Sequence, residues 1–183
     1  MQVLVFLAEG FEEVEALTVV DYLRRKDIKV DMVSITDDKN VKGAHDIVVT
    51  TDKRLSNIDD VYKYHGAIIP GGMPGATNLR DNAKVIDIIE RLNDKNRMIA
   101  AICAGPIVLK RANIIDGIEV TSYPGFEQEL EGGIYKEEPV VRDGNIITAR
   151  GPAFAVDFAI EIIDYLLGHE KAAELKEDIL YKG

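Results

Sequence analysis

The chain is poor in residues that staple, anchor or positively charge a protein. Cysteine occurs once, at Cys103, which excludes an internal disulfide framework. A lone cysteine suits a reducing compartment, so a cytoplasmic location is expected. No apolar run approaches the roughly 20 residues of a membrane-spanning helix. The opening Val3-Leu4-Val5-Phe6-Leu7 is strand-like and has no basic leader, so no signal peptide is expected. Positive charge is scarce too: 22 Lys and Arg face 32 Asp and Glu, a net charge of −10. Such a chain repels phosphate backbones, which disfavours nucleic-acid partners. No G-x-G-x-x-G or Walker pattern supports a nucleotide-phosphate site. Repeats, low-complexity stretches and linkers are absent, and 183 residues fit one domain, 1–183.

What is present is an alternation of strand-like and helix-like segments, which predicts an α/β fold with a mainly parallel sheet. Val3 to Ala8 and Ile28 to Ile35 read as strands. Between them Glu13 to Lys26 reads as a helix, with Ala16, Val20 and Leu23 on one face. Glu12 and Glu13 complement the positive end of its dipole and Arg24, Arg25 and Lys26 the negative end; solvent exposure is expected for Glu12 and Glu13. Ile47 to Thr51 reads as part of a short antiparallel excursion. Ala67-Ile68-Ile69-Pro70 is a buried strand stopped by Gly71-Gly72, and Asn82 to Leu92 is helical. Val120-Thr121-Ser122 reads as a further short strand. Asp143-Gly144 predicts a hairpin. A long helix is expected from about Ala153 to Leu167, stopped by Gly168, and a last short one from His169 to Asp178.

Cys103 falls between the apolar strand Met98–Ile102 and the helical run Ile107–Ala112, on a sharp strand-to-helix turn. N–H groups at a helix start favour negative charge, so a thiolate is expected there. In open parallel sheets, sites form at the carboxyl ends of strands. Three such ends stand out: Ala8 to Glu15, Pro70 to Gly75, and Ile102 to Pro106. If their strands are neighbours, they meet in one crevice. The N–H groups of Gly71, Gly72 and Ala104 would then face the thiol as an oxyanion hole. Read alone, Gly71-Gly72 also fits a strand end and Pro74-Gly75 a turn. Glu12, Glu13 and Glu15 cannot all face one way on a helix, so one of them can point into the crevice while others meet water. A carboxylate touching a thiolate raises both pKa values unless the two share a proton.

These residues resemble the ThiJ/PfpI (DJ-one) superfamily, in its DJ-one and bacterial ThiJ-like branch. The match rests on Ala-Ile-Cys-Ala-Gly-Pro at 101–106, Pro-Gly-Gly at 70–72 and Gly-Ala-x-Asn-Leu at 75–79. Glu-Glu-x-Glu at 12–15 and Arg-Gly-Pro at 150–152 complete it. The resemblance implies a flavodoxin-like three-layer sandwich that forms a homodimer through the first helix and the excursion at 42–51. It implies Cys103 as the functional thiol and Glu15 as a protonated partner of its sulfur. Gly72 and Ala104 supply backbone donors, and no cofactor or metal is implied. Gly71, Tyr123, His45, Arg150 and Pro152 are candidates to line the site.

Two departures narrow the chemistry. The protease-like branch carries a histidine directly after the cysteine, where this chain has Ala104. DJ-one relatives often carry one before a later proline, where this chain has Tyr123. Tyr123 is a poor base at neutral pH. Of the three histidines, His65 and His169 are expected at the surface, and His45 replaces an arginine that faces the crevice in relatives. The expected function is cysteine-dependent detoxification of reactive aldehydes or glycated groups, glyoxalase- or deglycase-like. Redox sensing or chaperone-like protection through Cys103 is the alternative, and a cysteine peptidase or amidase ranks last.

Overall fold

The computed structural model describes residues 1–182. Its strands are β1 (Gln2–Leu7), β2 (Lys29–Ser34), β3 (Asn40–Lys42), β4 (Val48–Thr50), β5 (Lys53–Arg54) and β6 (Gly66–Ile69). They continue with β7 (Met98–Ile102), β8 (Glu119–Val120), β9 (Ile134–Tyr135), β10 (Val140–Asp143) and β11 (Ile146–Ala149). The helices are α1 (Glu13–Arg25), α2 (Gly75–Arg80), α3 (Ala83–Asn93), α4 (Pro106–Arg111), α5 (Ala155–Leu167) and α6 (His169–Asp178).

Seven strands form one sheet in the order β10-β11-β7-β6-β1-β2-β5. All pairings are parallel except β10 with β11, the hairpin turned at Gly144. Strands buried on both faces must be apolar at every position. β1 and β7 obey this: Val3, Val5 and Leu7 pack on the side of α1, α5 and α6, whereas Leu4 and Phe6 pack towards α2, α3 and α4. Met98, Ala100 and Ile102 alternate with Ile99 and Ala101 in the same way. The flavodoxin-like sandwich expected from the sequence is what the chain forms.

The helix ends have local causes. Asn82 caps α3 by accepting from Lys84 N–H and Val85 N–H at 3.1 Å each, which stabilises such a helix by about 1 kcal/mol. Gly168 ends α5 with φ +90°, a conformation that strains any side chain.

The expectations fail at short elements. Pro74-Gly75, which reads as a turn, instead opens α2. A Cβ on Gly75 would sit 2.7 Å from Phe11 N, so close packing against the β1 loop needs glycine there. The strand expected over Val120–Ser122 is two residues long and pairs with β9 outside the main sheet. The long helix begins at Ala155, after a single 3-10 turn over Pro152–Phe154.

Candidate functional site

Sequential strands 2, 1, 6, 7 and 11 lie in the order β2-β1-β6-β7-β11, so the connections reverse direction between β1 and β6. This switch point leaves a crevice beyond the strand ends. The loops after β1, β6 and β7 meet there. Glu12 N–H donates to Gly71 O at 3.0 Å, tying the β1 loop to the β6 loop. A Cβ on Gly105 would lie 2.7 Å from Ile69 O, so the β7 loop packs directly on the end of β6.

Cys103 stands at the centre with φ +64°, a left-handed conformation that a non-glycine residue adopts only under local constraint. The constraint is visible: Cys103 N–H donates to Ala149 O at 2.9 Å, and Cys103 O accepts from Tyr123 N–H at 3.0 Å. The side chain is left half-buried in the crevice.

Glu15 projects from the first turn of α1 and is 1% exposed. Its Oε2 accepts from Gly71 N–H at 2.8 Å. Its Oε1 is buried without a hydrogen-bond partner, and the Cys103 thiol lies near enough to the carboxyl to act on its proton affinity. A Cβ on Gly71 would lie 2.6 Å from Cys103 Cβ, 2.7 Å from Glu15 Oε2 and 3.0 Å from Ala104 N. Those three distances place thiol, carboxyl and backbone donor around one point, and they require glycine at 71.

The proton balance of this pair differs from the sequence expectation. The thiol of Cys103 is pushed up to about 12, first by burial and then by the charge and hydrogen bond of Glu15. The N–H groups of Ala104 and Gly72 pull the other way and are outweighed. Burial and Glu15 therefore favour the thiol over the thiolate, against the two N–H groups. Glu15 is raised to about 7, by burial first, against the Gly71 and Cys103 hydrogen bonds that lower it, with Glu12 adding repulsion. Near neutrality the pair holds between one and two protons. Passing the sulfur's proton to Glu15 yields a thiolate facing two N–H groups.

The remaining sequence candidates divide. Tyr123, Arg150 and Pro152 line a separate open groove of about 580 Å³, together with Pro139 and Phe154. Arg150 is fixed by donating to Glu137 O at 3.1 Å. Cys103 does not line this groove; Tyr123 connects the two through its N–H. His45 lies outside the Cys103 cradle, on α1's first residues. His65 and His169 are also remote: His65 accepts from Gln2 N–H, and His169 pairs with Asp164. No histidine is a hydrogen-bond partner of Cys103 among the described residues.

Glu13 corrects the expectation of solvent exposure. It is 5% exposed, and its Oε1 accepts from His45 N–H at 2.8 Å and Ile47 N–H at 3.3 Å. Its Oε2 lies 3.0 Å from His45 Nδ1. A Cβ on Gly43 would overlap the Glu13 side chain, so the hairpin loop between β3 and β4 makes room for this carboxylate. The sequence carries no local signal for a contact across 32 residues.

The fold and the strained elbow thiol with its buried carboxyl define a flavodoxin-like, elbow-cysteine α/β protein. The chain belongs to the DJ-1/PfpI family, whose model matches residues 1–165. It is 35% identical to the Parkinson disease protein 7 homolog of Danio rerio over 182 residues, 98% of this chain and 96% of that one. It is likewise 35% identical to protein dj-1beta of Drosophila melanogaster, covering 97% of this chain and 95% of the relative. Among solved structures it is similar to oxidized Toxoplasma gondii DJ-1, with a TM-score of 0.94, 33% identity and coverage of 100% and 99%. Drosophila melanogaster DJ-1beta superposes with a TM-score of 0.93 at 34% identity, covering 98% of this chain and 97% of that one.

Proposed function

We propose that this protein converts reactive 2-oxoaldehydes such as methylglyoxal to 2-hydroxy acids, as part of protection against carbonyl stress. One arrangement carries the reading: a half-buried thiol and a buried carboxyl lie together beside N–H donors, and no histidine is hydrogen-bonded to the thiol among the described residues. The Cys103 proton moves to Glu15, and the sulfur forms a C–S bond to the aldehyde carbon. The carbonyl π pair moves to oxygen, which takes the proton from Glu15. Gly72 and Ala104 N–H groups stabilise the developing oxyanion. Glu15, now a carboxylate, moves the C–H proton of the hemithioacetal to the neighbouring carbon, while the hydroxyl proton passes to the oxygen of that neighbouring carbon, giving a thioester. The resulting thioester is hydrolysed by water, which releases the hydroxy acid and restores the thiol. Oxidation of one carbon balances reduction of its neighbour, so no cofactor is required. Attack on early glycation adducts begins with the same step.

Incubating pure protein with methylglyoxal and assaying lactate tests this reading. Unchanged turnover in Cys103→Ser removes it.

A second reading is favoured by the partnerless Glu15 Oε1. A protonated Glu15 can donate to a Cys103 sulfinate and halt oxidation at that stage. The raised thiol pKa counts against fast reaction with peroxide, which ranks this second. Intact mass after mild peroxide should show two added oxygens at Cys103, abolished in Glu15→Leu. Oxidation spread evenly over the methionines instead would discard it.

The same proposal includes a homodimer through α1 and the β3–β4 hairpin. Val14, Ile47 and Val48 are about half exposed there, which leaves an apolar face without cover in one copy. Light scattering that returns a monomer mass would refute it.

A further inference from the structure

A groove of about 580 Å³ opens beside the Cys103 elbow and takes no part in the bond-making steps above. Its walls come from the loops after β8 and β11 and from the link between β9 and β10. None of these belongs to the α1 and β3–β4 face. We propose that this groove holds the side chain of the 2-oxoaldehyde and selects aryl-substituted substrates over methylglyoxal. The inference rests on the aldehyde reading of Cys103 and names the substrate class within it.

The backbone of the elbow ties the groove to the thiol. Cys103 O accepts from Tyr123 N–H at 3.0 Å, and Cys103 N–H donates to Ala149 O at 2.9 Å. Tyr123 itself lines the groove; Ala149 is followed directly by Arg150, Gly151 and Pro152, which line it too. Both bonds that hold Cys103 in its left-handed conformation thus lead, within one residue, to a groove wall. A substituent too large for the crevice has this space next to it.

The lining suits a neutral ring. Tyr123, Phe154 and the rings of Pro124, Pro139 and Pro152 make the walls chiefly apolar. Proline loses no side-chain entropy when a ligand covers it. Small-molecule sites are mostly apolar with a few polar groups, at about 300–1,000 Å³. The methyl of methylglyoxal would leave nearly all of this volume unfilled, whereas a phenyl ring packs well against aromatic side chains. Arg150 is pinned by donating to Glu137 O at 3.1 Å. Glu127 is close enough to feel its charge, and Glu137 also lines the groove. The cation is thus partly answered by the protein, which favours a neutral substituent over an acidic one.

Tyr123 and Gly151 set the shape. A Cβ on Gly151 would lie 3.1 Å from Tyr123 Cδ2, so glycine there lets the tyrosine ring settle against the Arg150–Pro152 turn. Gly151 has φ 173°, extended backbone that any residue adopts. Alanine at 151 therefore acts on the ring by contact, not by backbone strain. Tyr123 is about half exposed, so its truncation opens the wall without opening the core.

The test titrates the full-length Cys103→Ser chain, by calorimetry, with mandelate and with lactate, two product acids that differ only in phenyl for methyl. Mandelate should bind at least about tenfold more tightly, as expected for added carbons in an apolar pocket. Tyr123→Ala and Gly151→Ala, each made in that chain, should cut the ratio by at least about threefold. Equal binding of the two acids overturns the proposal, as does a preference that both variants retain. With Cys103 restored, kcat/KM should be higher for phenylglyoxal than for methylglyoxal, by a factor that falls in Tyr123→Ala; a preference for methylglyoxal also overturns it. No turnover of either aldehyde, with the mandelate preference intact, would break the aldehyde reading of Cys103 and leave the aryl subsite standing.

Discussion

Glu13 and Glu15 sit two residues apart on one helix, and both are almost completely buried. Burial pushes both carboxyls up, yet Glu13 ends below its ordinary value and Glu15 at about 7. The difference lies in what each side chain meets. Glu13 meets the His45 side chain and the N–H groups of His45 and Ile47, which together outweigh desolvation. Glu15 meets one N–H, a thiol and the repulsion of Glu12. One end of α1 thus holds a carboxylate that anchors a hairpin and, two residues on, a carboxyl poised to exchange a proton. Low surface exposure alone does not set the charge; Glu15 lies deeper in the protein as well as meeting fewer donors.

Four substitutions break or sharpen this contrast. Cys103→Ser has the largest effect: lactate formation from methylglyoxal should fall by more than about a thousandfold, because the nucleophile is gone. Glu15→Gln follows, with a rate loss of about a hundredfold to ten-thousandfold expected for a missing proton carrier.

The same Glu15→Gln change carries a stability signature. A buried carboxyl whose folded pKa is raised is protonated in the folded chain where the unfolded chain has already lost its proton. Wild-type stability should therefore decline as pH rises from about 4.5 to about 7. That window, at about 1.4 kcal/mol per pH unit, sets an upper limit of roughly 3.5 kcal/mol. Urea melts across it should show the slope in wild type and a flatter profile in Glu15→Gln. An unchanged slope would mean that Glu15 titrates normally.

Gly71→Ala comes next. The added methyl would meet Cys103 Cβ at 2.6 Å and Glu15 Oε2 at 2.7 Å. Forced overpacking of this kind costs about 1–3 kcal/mol, readable as a lowered thermal midpoint with a matching loss of turnover. His45→Ala should have the smallest effect. His45 gains affinity for its proton from Glu13 first and from Glu12, so its contribution is present below its unfolded pKa and is lost as pH rises through its folded one. The variant should melt slightly earlier at acidic pH and alongside wild type at alkaline pH.

Local patterns in the sequence were sufficient for an α/β fold with a mainly parallel sheet, and the family resemblance supplied the flavodoxin-like sandwich. Continuous apolar runs made β1 and β7, three-to-four spacing made α1, α3 and α5, and Gly168 stopped a helix. They also placed Cys103 on its elbow and three loops at strand ends. They failed at α2, where Gly75 opens a helix packed too closely on Phe11 to admit a Cβ.

The state of the thiol was not legible either. A helix start beside Cys103 argues locally for thiolate, but burial and the Glu15 charge arrive through space and win. Tyr123, Arg150 and Pro152 read as crevice residues, yet the folded chain gathers them into a neighbouring groove.

Which residues occupy the end of α1 is fixed by the sequence, through the run Glu12-Glu13-Val14-Glu15 and the helical period that turns them to different sides. Only the tertiary structure decides their charge. The partners are His45 and Ile47 for one carboxylate, and Gly71 and Cys103 for the other, all 30 to 90 positions away along the chain. Proton affinity is a property of neighbours within a few ångströms, and those neighbours exist only once the sheet has closed.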